Sequence, residues 1–66
     1  MEPYQKRILV EEKELDTKIK KLGDFINMSP DYDTLSEEEK VRLTRQFWYM
    51  RDYSFVLRER IDAFDD

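Results

Sequence analysis

Residues 45–60 read "RQFWYMRDYSFVLRER", and the fold turns on how this stretch is packed. Phe47, Trp48, Tyr49 and Met50 follow one another without a polar break. In a helix each residue turns by about 100°, so four successive bulky side chains face every direction. A helix that is apolar all round needs partners on more than one side. Leu43, Phe47, Met50, Ser54, Leu57, Ile61 and Phe64 step alternately by four and three, a heptad seam with one polar member. Val41, Trp48 and Phe55 form a second series at intervals of seven, and Tyr49, Val56 and Ala63 a third. Trp48 lies about 140° round from Leu43, so one neighbouring helix cannot cover both.

Working towards the N-terminus, "SEEE" at 36–39 has the form of a capping box, with Ser36 accepting from the Glu39 N–H and Glu39 reaching back. The acidic first turn suits the helix dipole. A long helix is therefore predicted over about 36–64. Before it, "NMSPDYDTL" is rich in turn residues, and the residue ahead of Pro30 is biased away from helical angles. A loop is expected over about 28–35. From Pro3 to about Asn27, Tyr4, Ile8, Leu15, Ile19, Leu22 and Ile26 recur at spacings of three, four or seven, one stripe of an amphipathic helix. Pro3 suits the first helical turn. Gly23 is a weak point, because an interior Gly costs about 1 kcal/mol relative to Ala. Joined by about eight residues, the two helices fold back antiparallel.

The fold class expected is thus all-α: residues 1–66 form a single antiparallel two-helix hairpin that assembles into a helical homo-oligomer. Val41, Trp48, Tyr49, Phe55 and Val56 are the expected oligomer interface, because a hairpin cannot bury them within itself. Size supports this. Sixty-six residues are near the limit at which one chain supplies its own core. There is no Cys for a disulfide and no His for a zinc site. With 42% charged residues, one Gly and two Pro, the composition favours long helices.

Several function classes are excluded or disfavoured. The formal charge of −4 argues against a general binder of DNA or RNA polymers, which carry a basic footprint. No run of about 18 apolar residues is present to span a membrane. The start "MEPYQKRILVEEKELD" turns acidic too soon for a secretory signal, so the cytoplasm is the expected compartment. Without His, Cys or a glycine-rich phosphate loop, neither a catalytic residue, a metal nor a cofactor is expected. Carboxylates are numerous but interleaved with cations, as in Glu14 and Lys18, an ordered i,i+4 pair.

Binding has more to work with. Tyr4, Arg7, Glu11, Glu14, Lys18 and Lys21 follow at spacings of three or four, a polar row along one flank of the first helix. An aromatic face can stack on a base, and Arg or Lys can meet phosphates. Arg42, Arg45, Arg51, Arg58 and Arg60 add cations to the second long helix. In a symmetric assembly, one Arg near a rotation axis becomes two or three around a shared cavity. The plainer reading of these residues is a solvated surface of paired charges.

"PYQKR", "VEEKELDTKIKKLGDFI", "LSEEEKVRLTRQ" and "MRDYSFVLRERIDAF" together resemble a phage and prophage family with a helical-hairpin domain. This hairpin is found in the anti-CBASS cyclic-nucleotide sponge and in the N-terminal part of an anti-Thoeris sponge, and the likeness covers nearly the whole chain. The resemblance implies a homohexamer of hairpins in the cytoplasm of the infected host. Such an assembly sequesters cyclic oligonucleotide immune signals without hydrolysing them. It implies a cyclic dinucleotide pocket built from an early aromatic, Tyr4, and a lysine, Lys18 with Lys21 in reserve; Arg7 of the flank row is the expected neighbour of Tyr4 in that pocket. It also implies a cyclic trinucleotide site near a threefold axis, with Arg60 as the matching arginine and Arg58 as the second candidate. Where the family commonly reads "GERI", this chain reads "RERI". A long cation thus replaces a small residue, and a reshaped site is expected. The sequence ends at Asp66 without the added domain of the anti-Thoeris sponges, so binding of cyclic ADP-ribose-type signals is not expected. A different class of function also fits the aromatic stripes, namely a small adaptor or assembly protein that docks another protein by helix-in-groove packing.

Overall fold

The computed structural model describes residues 1–65. Helix α1 spans Pro3–Met28, a single turn α2 spans Pro30–Asp33, and α3 spans Glu37–Asp62, followed by a 3-10 turn over Ala63–Asp65. The two long helices run antiparallel. Tyr4 of α1 meets Phe64 at the end of the chain, while Gly23 approaches Phe47 nearer the connection. The molecule is a rod of 47 × 15 × 14 Å.

Local chemistry explains the boundaries. Pro3 opens α1, and the Glu2 backbone N–H donates to Gln5 Oε1 at 2.8 Å, which satisfies a donor the helix leaves free. At α3, Ser36 Oγ accepts from the Glu39 N–H at 3.1 Å. The reciprocal half of the expected capping box does not form, because Glu39 Oε1 instead accepts from Arg42 Nε at 2.8 Å. A charged donor one turn along is a stronger partner for the carboxylate than a backbone amide.

The expected loop over 28–35 holds one helical turn. Ser29 is extended, as a residue before Pro should be, and its Oγ accepts from the Asp31 N–H. Pro30 then takes the first helical position, where its missing N–H costs nothing. Ser-Pro here is a helix start rather than only a break. The far end of α3 also differs: the α-helix stops at Asp62 and Phe64 sits in the 3-10 turn.

The core lies in the half of the rod away from the connection. Ile8, Leu15 and Leu57 are buried, with Leu57 only 1% exposed. Ile19, Met50, Ile61 and Phe64 pack around them. Towards the connection, Leu22, Ile26, Leu43 and Phe47 are half-buried. Gly23 has its reason here: a Cβ at this position would stand 3.0 Å from Phe47 Cε1, so the bare backbone gives the ring room.

Candidate functional site

The flank row of α1 is a solvent-facing ladder. Tyr4 remains half exposed, with its ring edge-on to Phe64 at 6.2 Å between centroids. Arg7, Lys18 and Lys21 are exposed. The Glu14–Lys18 pair expected from spacing is not formed. Among the described residues the cross-charge contacts are Lys40–Glu37, Arg42–Glu39 and those of Arg58 with Glu12 and Asp16. Lys18 therefore keeps its ammonium free, as do Arg7 and Lys21. An exposed i,i+4 pair stabilises by only about 0.2–0.5 kcal/mol, so its absence costs the hairpin little. Beside Arg7, an open groove of about 310 Å³ is lined by Lys6, Arg7, Val10, Glu11 and Glu14.

Position along the rod sorts the candidates into two groups. The Tyr4–Phe64 contact brings the N-terminus of α1 to the end of α3, so Tyr4, Arg7 and Arg60 share one end of the hairpin. Lys18 lies fourteen positions along α1 from Tyr4, a rise of about 21 Å, and Lys21 is farther still. One copy of the chain does not bring Tyr4 and either lysine to one small ligand. Arg60, in the last turn of α3, is exposed and favourably placed for the helix dipole.

Arg58, the second trinucleotide candidate, points elsewhere. Its Nε donates to Glu12 Oε1 at 3.0 Å, and its Nη2 donates to both oxygens of Asp16 at 3.0 Å. Ser54 Oγ donates to Glu12 Oε2 at 2.8 Å and lies 3.2 Å from Asp16 Oδ1. Glu12 is 8% exposed and Ser54 is buried. No buried side-chain nitrogen or oxygen among the described residues lacks a partner.

The network shifts its own protonation equilibria. Asp16 is held below the ordinary carboxylate value. Its hydrogen bonding with the Glu12 carboxyl contributes most, outweighing the opposite effect of burial, and the hydrogen bonds from Arg58 and Ser54 add to it. Arg58 is raised, chiefly by its hydrogen bonds to Glu12 and then Asp16. Arg58 is thus engaged with α1, whereas Arg60 meets no carboxylate among the described residues.

Glu12 is the residue that reading only apolar spacing misses. Ile8, Leu15, Ile19, Leu22 and Ile26 leave one vacancy in a four-three alternation, at position 12. A carboxylate in a seam position, opposite a seam whose one polar member is Ser54, is the signal that marks it.

The outer face of α3 carries exposed aromatics. Trp48 is 54% and Phe55 65% exposed, and Val41, Tyr49 and Val56 are also exposed. The Arg51 guanidinium stands over the Trp48 ring at 5.3 Å and over Phe47 at 5.9 Å, while Arg45 stands over Tyr49 at 5.9 Å. A groove of about 410 Å³ runs beside them, lined by Arg42, Arg45, Gln46, Tyr49, Met50 and Tyr53.

These features define an all-helical hairpin with a charged flank, a buried polar network and a large apolar outer face. Among the described residues no helix is long and apolar enough to cross a membrane. A family model described as Sequestin matches residues 2–63, and the chain belongs to the Sequestin family. That name is compatible with a sequestering function. Comparison with curated proteins and with solved structures gives no match.

Proposed function

We propose that this protein is a phage-encoded sponge that binds cyclic oligonucleotide immune signals and holds them uncleaved, so that CBASS-type defence is blocked in the host cytoplasm. The observation that carries the reading is the division among cations. Lys40, Arg42 and Arg58 are engaged by carboxylates, whereas the other nine cations, Arg7, Lys18, Lys21 and Arg60 among them, stand free among the described residues. Free cations on a flank that begins with an aromatic suit a ligand of bases and phosphates. The family's name and the likeness to cyclic-nucleotide sponges support the same reading.

The rise of about 21 Å between Tyr4 and Lys18 makes a composite pocket part of this proposal. Tyr4, with Arg7, comes from one copy and Lys18 or Lys21 from another. The exposed faces of α3, with Val41, Trp48, Tyr49, Phe55 and Val56, supply the contact between copies, and a hexamer is the proposed assembly. Arg60 is proposed for the cyclic trinucleotide, where three symmetry-related arginines meet three phosphates.

The test is calorimetry with cyclic di- and trinucleotides, followed by heat denaturation and recovery of the ligand. A sponge returns the nucleotide intact; linear products indicate a phosphodiesterase; no binding leaves the adaptor reading. Tyr4→Ala and Lys18→Ala are expected to weaken the dinucleotide without changing helix content. Arg60→Ala is expected to abolish the rise in melting temperature that a trinucleotide gives by binding the folded state. Unchanged affinity in both α1 variants would remove this flank as the pocket.

A further inference from the structure

Helix α3 offers α1 three apolar stripes, and something must select one. Packing α1 on the stripe of Leu43, Phe47, Met50, Leu57 and Ile61 leaves Trp48 and Phe55 more than half exposed. Apolar burial is non-directional and roughly proportional to area, so it does not by itself reject the aromatic stripes.

The two seams differ from the other faces in one respect, a matched polar pair. Glu12 occupies the stripe of α1 and is 8% exposed, so whichever face α1 takes must supply donors to a buried carboxylate. The observed face supplies two, Ser54 Oγ at 2.8 Å and Arg58 Nε at 3.0 Å, one to each oxygen. At the same level, the stripe of Trp48 would present the Phe55 ring, flanked by Arg51 and Arg58 as well as by Asp52. The third stripe would present Val56 and Tyr53, whose hydroxyl lies a ring's length from the backbone. Either face could bring a guanidinium towards Glu12, but neither places a short donor in the seam as Ser54 does.

We infer that Glu12 and Ser54, with Arg58 and Asp16 completing the network, determine which of the three apolar faces of α3 receives α1. The polar members select by penalising the wrong pairings, as one buried polar residue fixes register in a coiled coil. By leaving Trp48 and Phe55 outward, the same selection decides which surface the chain presents to a partner. This selection involves no nucleotide and is independent of the proposed ligand.

Trp48 is the one tryptophan of the chain, so its indole N–H reports the number of packing arrangements in the intact, isotope-labelled protein. Wild type is expected to give one indole resonance. The double variant Glu12→Leu/Ser54→Leu, with an apolar seam throughout, is expected to melt at or above the wild-type temperature and to show two or more. Ser54→Leu alone places an apolar side chain opposite Glu12, and is expected to melt lower and also to show a second resonance. Glu12→Gln, whose amide oxygen can accept from Arg58 Nε while its NH2 donates to the Ser54 hydroxyl, is expected to retain one. A folded double variant with one indole resonance at the wild-type position would overturn the inference. So would a double variant that does not fold, since the network would then supply stability rather than choice.

Discussion

Away from the connection, Ile8 and Leu15 close over Leu57 with Glu12 and Ser54 buried among them, whereas beside it Leu22, Ile26, Leu43 and Phe47 are half-buried. The difference follows from where the chain already holds the helices together. Near Pro30–Asp33 a short covalent link keeps α1 and α3 adjacent, and loop closure costs little there. At the free ends only side-chain contacts oppose separation, and that half holds the buried residues and the cross-helix ion pairs. The loosely packed half retains apolar surface, with Trp48 beside a cleft of about 180 Å³ that Gly23, Ile26, Asn27, Thr44 and Phe47 also line. One half is built to hold the hairpin closed, while the exposed apolar face of α3 runs past both, from Val41 and Trp48 to Phe55 and Val56.

The sharpest way to break this comparison is to truncate one residue in each half. Leu57→Ala is expected to cost about 2–5 kcal/mol, the range for a buried leucine. That is a large fraction of the stability of so small a chain. Leu22→Ala, at a half-buried position, is expected to cost roughly half as much or less. Chemical denaturation of both variants measures the difference, and equal losses would show that the two halves pack equally well.

The outward surface comes next. In the proposed assembly Trp48 is an interface anchor, and Trp48→Glu is expected to weaken association by about 2–4 kcal/mol, the scale of an aromatic hot spot. That corresponds to a roughly 30- to 1000-fold change in the dissociation constant. Helix content should be retained, because Trp48 is exposed in the hairpin itself. Sedimentation measures the effect, and a stable wild-type monomer at micromolar concentration would contradict the assigned role of this face.

Acid provides a smaller perturbation confined to the well-packed half. Asp16 has a depressed pKa in the folded hairpin. Its contribution to stability is fully present above its unfolded value of about 3.9. It is lost as pH falls through the lower folded value. The melting temperature should therefore drop below about pH 4, and Asp16→Asn should lower it near neutrality, where the carboxylate's contribution is present, and flatten the drop in acid. Thermal melts from pH 2 to 7 test this. A variant with the wild-type pH profile would place the acid sensitivity at another carboxylate.

Much of this architecture can be read from residue spacing. The long helices follow from two apolar stripes, and the all-helical fold is the one observed. What spacing hides is polar chemistry inside a seam. Counting only apolar residues passes over Glu12, although its position continues the alternation of Ile8 and Leu15. Its partners Ser54 and Arg58 lie more than forty residues along the chain, a distance no local pattern encodes. The one-turn α2 is hidden for another reason: Pro30 both restricts the residue before it and opens a helix, and only the second effect fixes the local path. The flank residues were legible as a row, but their separation by end of the rod becomes apparent only once Tyr4 is seen against Phe64.

Gly23 gives the finest test of how tightly the half near the connection is packed. Two effects oppose one another there. Replacing an interior helical Gly with Ala favours the helix by about 0.8–1 kcal/mol. The added Cβ would stand 3.0 Å from Phe47 Cε1, so the ring must yield by a few tenths of an ångström. Phe47 is half-buried, with space beside it in the cleft that Asn27 and Thr44 line, and the ring can move without displacing backbone. The helix preference should therefore prevail, and Gly23→Ala is expected to stabilise the hairpin by less than about 1 kcal/mol. Gly23→Leu, whose side chain would need the volume the ring occupies, is expected to destabilise it by about 1–3 kcal/mol, the usual cost of overpacking. Urea denaturation of the two variants decides the matter. A Gly23→Ala variant destabilised as much as Gly23→Leu would mean that Phe47 is held rigidly, and that the half near the connection is as closely packed as the half around Leu57.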